Sequence, residues 1–363
     1  MKIHEILREI NELAPFSYQE SYDNSGLLVG NPETEVNGAL LCLDVTEAVV
    51  EEAKEAGLGL IIAHHPVIFS GIKRLTGKTY TERIIIKAIQ YNIAILCVHT
   101  NLDNVYQGVN AIMAEKLELL NTRILKLLPN TLFQLYTYVP EAYLNTVRDA
   151  LFAAGAGQIG NYSECGFNTS GIGTFKPNEK ANPFSGELLV RKEEQEIKIE
   201  LVFPAALKSA VVAALKRAHP YEEVAYGIIP LQNTVSEIGA GIVGDLKEPM
   251  PFQTFLQQVK EVFKTGMIRY TKPPENVQKI ALCGGSGSFL LPDALTAGAD
   301  VFLTADFKYH QFFDAEDKIM IVDIGHYESE QFTPEIFYRL FTKKFPTFAL
   351  QFTSVNTNPV YYF

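Results

Sequence analysis

At 363 residues with 47% hydrophobic content, the chain has the length for two domains or more and the composition of a protein with a sizeable core, which excludes a disordered or fibrous one. Its 42 acidic residues outnumber 31 basic ones, giving a net charge of −11, so no overall positive field exists to collect phosphate backbones. Sequence-independent nucleic-acid binding is therefore disfavoured.

The amino terminus places Ile3, Ile6, Leu7, Ile10 and Leu13 on one helical face, a surface helix and not a signal peptide. No later run reaches the roughly 18 apolar residues of a membrane span. The four cysteines, Cys42, Cys97, Cys165 and Cys283, form no Cys-x-x-Cys pair; three of them lie in apolar strand-like runs, and the reading is buried thiols in a reducing cytoplasm. After the turn-rich Ser21–Gly26, residues 39–44 form a strand. A helix follows from Thr46, its N-cap, to Gly57, its stop. The apolar run 60–63 is the next strand, and His64-His65-Pro66 stands at its end. A helix near 79–92 leads to the strand 93–98 and then to His99-Thr100-Asn101-Leu102-Asp103. Strand and helix alternate, which implies a mostly parallel sheet flanked by helices.

From Leu128-Pro129 to about Ser236 the order becomes strand (132–139), helix (142–154), hairpin (186–203), helix (205–218) and strand (224–231). That is the βαββαβ order of a ferredoxin-like domain, with a long loop or irregular edge at 155–185. From Ile238 the α/β pattern resumes. A helix at 251–263 precedes the strand 279–283 and its glycine loop Gly284-Gly285-Ser286-Gly287-Ser288. Two more strands, 301–304 and 319–323, run into Asp306–His310 and His326–Glu330 respectively. The flanks echo one another. A shift of 241 positions lays Leu41-Cys42 on Leu282-Cys283 and His64-His65 on Ala305-Asp306, and a shift of 227 lays His99 on His326 and Asp103 on Glu330. The expected fold class is α/β: two similar halves, residues 1–128 and 237–363, interrupted by an insert at 129–236.

Chemistry gathers just past the strands, at His64, His65, His99, Asp103, His326 and Glu330. Imidazoles and carboxylates suit Zn, Mn or Fe, whereas a thiolate site would need clustered cysteines. His326 and Glu330 stand one helical turn apart, as do His99 and Asp103, so each pair can face one way. Five or six such groups exceed what one catalytic metal uses, and two divalent metal ions sharing a carboxylate is the economical reading. His4 and His219 read as satisfied groups, and His310 is left open. The glycine loop matches neither a Gly-x-Gly-x-x-Gly nor a Walker pattern, so an anion cradle and a tight turn weigh equally. Asp23-Asn24-Ser25-Gly26 reads as a turn, with substrate binding the alternative. Ser286 and Ser288 have no base to complete a triad.

Together, Ser21–Leu27, Leu43–Thr46, Ala63–Pro66, His99–Asp103, Gly284–Gly287, Thr304–His310 and Gly325–Glu330 closely resemble the Nif-three-like family, whose bacterial members carry the name GTP cyclohydrolase 1 type 2 homolog. The middle stretch, including His219-Pro220-Tyr221-Glu222-Glu223, resembles the PII/CutA-like insert of the longer members. The resemblance implies a dinuclear metal site held by His64, His65, Asp103, His326 and Glu330. His99 is then a pocket or proton-transfer group and not a ligand. The family also implies a toroidal homohexamer with sites facing an internal cavity. Ala305 departs from the glycine that many members carry there. The function expected is a metal-dependent hydrolase using a metal-activated water on a nucleotide or related small molecule. The alternative is a metal-binding regulatory or interaction protein whose insert senses a small ligand.

Overall fold

The computed structural model describes residues 1 to 363 and divides into two compact units, one made of 1–127 and 236–363, the other of 128–235. In the first unit, the strands Gly38–Cys42, Leu60–Ala63 and Ala94–Cys97 run parallel and are buried along their whole length. Strands covered on both faces read as unbroken apolar runs, which is why these three were visible in the sequence. Gly26–Val29 adds antiparallel beside Ala94–Cys97, and Ala349–Phe352 adds parallel beside Gly38–Cys42.

A second sheet repeats the plan. Asn276–Ser286, Val301–Ala305 and Met320–Asp323 are its parallel trio, with Arg269–Tyr270 antiparallel on the outer edge. Gly239–Pro251 pairs with Asn276–Ser286, and Leu120–Leu127 pairs in turn with Gly239–Pro251. The shifts of 241 and 227 positions carry the first trio onto the second. The sheets nevertheless do not divide as the chain does, because each recruits one edge strand from the other flank.

Helix ends follow local chemistry. Thr46 accepts from the Val49 amide and opens Glu47–Glu55, while Thr79 accepts from the Glu82 amide and opens Tyr80–Gln90. Their apolar faces, Val49, Val50 and Ala53 with Ile84 and Ala88, close over Leu40, Ile61 and Ile95 in one core. The amino-terminal helix, Ile3–Leu13, buries Ile3, Ile6 and Ile10. Under the second sheet, Phe302 is fully buried among Ala281, Leu290 and Ile321. Phe302→Ala should lower stability by about 3–5 kcal/mol through lost burial and the cavity left behind. Urea denaturation measures this, and a loss below about 1 kcal/mol would contradict the packing described. No helix is long and apolar enough to cross a membrane.

The second unit runs strand Leu132–Pro140, helix Leu144–Ala153, strands Phe167–Phe175 and Lys192–Pro204, helix Lys208–Ala218 and strand Tyr226–Pro230. All pairings in its sheet are antiparallel, in the spatial order 167–175, 192–204, 132–140, 226–230. Val147, Leu151, Val211 and Leu215 from the helices cover Leu135, Ile199 and Phe203 of the sheet. The hairpin expected within 186–203 is placed differently: its first strand is Phe167–Phe175, inside the segment expected to be irregular, and 186–190 lies in the connection. That edge strand is exposed on both faces over most of its length, so no alternation of apolar residues marks it, and the ladder to Lys192–Pro204 holds it.

Candidate metal centre

His64 and His65 follow Leu60–Ala63 directly, and both of their amides donate to the Leu43 carbonyl, at 3.1 and 3.0 Å. The backbone has therefore left the strand, and two consecutive rings enter one site with centroids 4.9 Å apart. Asp103 closes the one-turn helix Thr100–Asp103 that begins after His99. His326 opens and Glu330 closes the short helix His326–Glu330, which brings His326 Nε2 within 3.1 Å of Glu330 Oε2.

Three rings are tied back through Nδ1. His64 Nδ1 donates to the Val98 carbonyl at 2.8 Å, His65 Nδ1 to Asp44 at 2.7 Å and His326 Nδ1 to Asp306 at 2.7 Å. This orients Nε2 of each ring toward the others, the arrangement used to fix metal-binding imidazoles. The Nε2 atoms of His65 and His326 lie 3.3 Å apart, and His65 Nε2 is 2.9 Å from Glu330 Oε2. On the opposite side of the carboxylate, Glu330 Oε1 is 3.8 Å from His64 Nε2, which is itself 3.6 Å from Asp103 Oδ1.

Burial alone would lower the pKa of His65 and of His326, but the carboxylates around them prevail and push the two up to about 9 and about 11. Burial would raise Glu330, yet the imidazoles hold it well below the usual carboxylate range. Asp103 is pushed up by burial and by the charge of Glu330.

His64 Nε2 and Asp103 Oδ1 are buried and have no hydrogen-bond partner. Buried polar atoms of this kind are costly unless something else satisfies them. His64, Asp103 and Glu330 form one group able to hold a metal ion, His65, His326 and Glu330 a second, and His64, His65 and His99 a third, with the donor atoms of each group within 4.8 Å of one another. Nitrogen and carboxylate oxygen donors fit a divalent transition metal.

His99 is anchored by Asp23, which accepts its Nδ1–H at 2.8 Å as well as the amide and hydroxyl of Thr100. Burial would raise the pKa of Asp23, but these donors hold it far below the ordinary range. Asp23 thus has a role that neither a bare turn nor a substrate contact describes. The glycine loop reads as a turn, because all three of its glycine amides are already used. Gly284 donates to Asn110 at 3.0 Å, Gly285 to Ser329 at 2.9 Å and Gly287 to Thr304 at 3.1 Å. His219 is satisfied in the second unit by the Tyr138 carbonyl and the Tyr221 amide, His4 pairs with Glu33 at the surface, and His310 is exposed.

Asp44 and Asp306 were not singled out in the sequence for the roles they hold. The available signal was an acidic residue just past a strand parallel to the one carrying a histidine. Two cavities meet the cluster. One of about 400 Å³ is lined by Asp44, His65, Arg269, Asp306, His326 and Asn358. The other, about 560 Å³, is lined by His99, Asp103 and Glu330 together with Tyr22, Phe69 and Phe289.

The fold and site together define an α/β protein of two like sheets with a histidine–carboxylate cluster past its strand ends, a donor set that could hold a metal ion. The chain belongs to the Duf34/NIF3 (NGG1p interacting factor 3) family, whose sequence model matches residues 1–359. It is 41% identical over 326 residues to the GTP cyclohydrolase 1 type 2 homolog of Halalkalibacterium halodurans, spanning 88% of this chain and 87% of that one. The protein of the same name from Staphylococcus epidermidis is 36% identical over 371 residues, spanning 100% of both. Among solved structures, a Bacillus cereus protein related to NIF3 has a TM-score of 0.81 at 35% identity, covering 100% of this chain and 99% of that one.

Proposed function

We propose that the chain is a dinuclear metal-dependent hydrolase acting on a nucleotide or related small molecule. His64, Asp103 and Glu330 would hold one divalent cation, His65, His326 and Glu330 the other, with Glu330 shared. The observation that carries this is the placement of the Glu330 oxygens, Oε1 toward His64 and Oε2 toward His65 and His326. Zn, Mn or Fe bound there would supply Lewis acidity and bring the pKa of a coordinated water toward neutrality.

The chain's own groups do the rest. Asp23 accepts a hydrogen bond from the Nδ1–H of His99, which fixes the tautomer and leaves Nε2 free to accept or return a proton beside the substrate. Tyr22, Phe69 and Phe289, each more than half exposed, give the larger cavity an apolar wall for a planar ring. The name shared by the relatives from Halalkalibacterium halodurans and Staphylococcus epidermidis points to a nucleotide. The second unit is read as a ferredoxin-like, PII/CutA-like insert, supported by its βαββαβ order and its antiparallel sheet. A toroidal homohexamer follows from the family resemblance, and a cytoplasmic location accords with four free cysteines.

Elemental analysis of protein purified without added metal, followed by turnover of nucleotides and phosphoesters, tests the proposal. The expected result is two equivalents of a divalent transition metal per chain and turnover that disappears with chelation and returns with metal. Metal-loaded protein that hydrolyses nothing in the panel would favour the regulatory reading.

A further inference from the structure

The second unit contains a cavity of about 340 Å³ that the hydrolase reading does not use. Phe175, Phe184 and Tyr221 line it, and the rings of Phe184 and Tyr221 lie with centroids 5.7 Å apart. Glu196, only 9% exposed, presents its carboxylate there. One of its oxygens accepts from the Tyr221 hydroxyl at 2.8 Å, the other has no hydrogen bond, and Glu196 joins no ion pair.

A buried carboxylate without a counter-charge is expensive, and the fold offers it none. Neighbouring acids are partnered or in solvent: Glu194 pairs with Lys192 and Ser185, Glu222 accepts from the Asn182 amide, and Glu223 on the lining is exposed. Lys176, the basic side chain on the lining, is exposed and unpaired. The adjacent edge strand also makes room for the carboxylate. A Cβ on Gly173 would fall 1.9 Å from Glu196 Oε2, so any side chain there would displace it.

A negative charge framed by aromatic faces attracts a cation that can shed its water and lie against a ring. Anions are repelled, and a hydrated divalent ion would want several fixed oxygen ligands, where Glu196 offers the one free carboxylate oxygen that is held in place by burial. We infer that this cavity binds a small organic cation, a primary ammonium or guanidinium ion, with Glu196 as its counter-charge and Phe184 and Tyr221 as its walls. The inference stands independently of the metal centre.

Calorimetric titration of the full-length protein with agmatine and with n-butylammonium, using n-butanol as the uncharged control and magnesium chloride as the inorganic one, tests it. Saturable one-to-one binding of at least one organic cation is expected, with none of the alcohol and no competition by magnesium. Glu196→Gln should weaken that binding at least tenfold while leaving the unfolding midpoint and metal content at wild-type values. Should Glu196→Gln fail to fold, Gly173→Ala tests the same carboxylate and is expected to show the same loss. Absence of binding by both organic cations, equal affinity in wild type and the folded variant, or equal competition by magnesium would each overturn the inference.

Discussion

Replacing Glu330 by glutamine is expected to leave a folded protein that retains neither cation, with affinity for divalent metal lowered more than about 100-fold, beyond the 10–100-fold typical for partners one layer further out. The reason is geometric. Glu330 is 3% exposed, its Oε2 meets both His65 and His326, and its Oε1 faces His64, so one side chain serves both donor groups. An amide keeps the shape but offers one weak oxygen donor and an NH₂ that points protons at the site. A variant that holds both metals at wild-type stoichiometry would sink the shared-carboxylate reading.

The same substitution has a second signature in protein stripped by chelator. His65 and His326 have folded-state pKa values raised to about 9 and about 11, against about 6.5 unfolded. Their protonation therefore contributes stability that is fully present below about pH 6.5 and is lost as pH rises through 9 and then 11. Stripped wild type should lose stability to urea between pH 7 and pH 10. Stripped Glu330→Gln, which lacks the charge that acts most on His326 and that joins Asp44 in raising His65, should start lower at pH 7 and change less over that interval. Parallel pH dependences in the two proteins would contradict this assignment of the raised values.

How much of this was legible in the sequence depends on whether a signal is local. The apolar runs before His64 and His99 announce buried parallel strands because both faces are covered. Thr46 and Thr79 mark their helices because an N-cap acts within three residues. Phe167–Phe175 was hidden, since an exposed edge strand of Asn, Thr, Ser and Gly is held by its ladder and not by burial. Leu120–Leu127 and Ala349–Phe352 were hidden for another reason: each completes the sheet of the opposite flank, and such pairing leaves no periodic mark.

The site divides in the same way. His64-His65 and the one-turn spacing of His326 and Glu330 stand out as patterns, whereas Asp44 and Asp306 are ordinary acids past strands until folding sets them 2.7 Å from a ring nitrogen. The glycine loop was ambiguous in the sequence because what limits it is a side chain more than forty positions away. That constraint is specific enough to test.

Gly285→Ala should remove metal without unfolding the chain, and comparison with Gly298→Ala isolates the cause. Both glycines have left-handed backbone, φ +59° and φ +68°, so alanine at either costs about 1–2 kcal/mol in conformation alone. At Gly298 a Cβ meets nothing within 4 Å. At Gly285 it would sit 2.3 Å from Glu330 Oε1 and 3.1 Å from His326 Cε1. The loop has little freedom to retreat, because the Gly285 amide donates to Ser329 and its carbonyl accepts from Thr304. The carboxylate must then leave its present position, and the donor set around Glu330 is broken. The conformational loss of stability in urea is expected in both variants, a larger total loss in Gly285→Ala because of the added clash, and a fall in metal content only in Gly285→Ala. Equal metal content in both would mean that the close approach of Gly285 does not position Glu330.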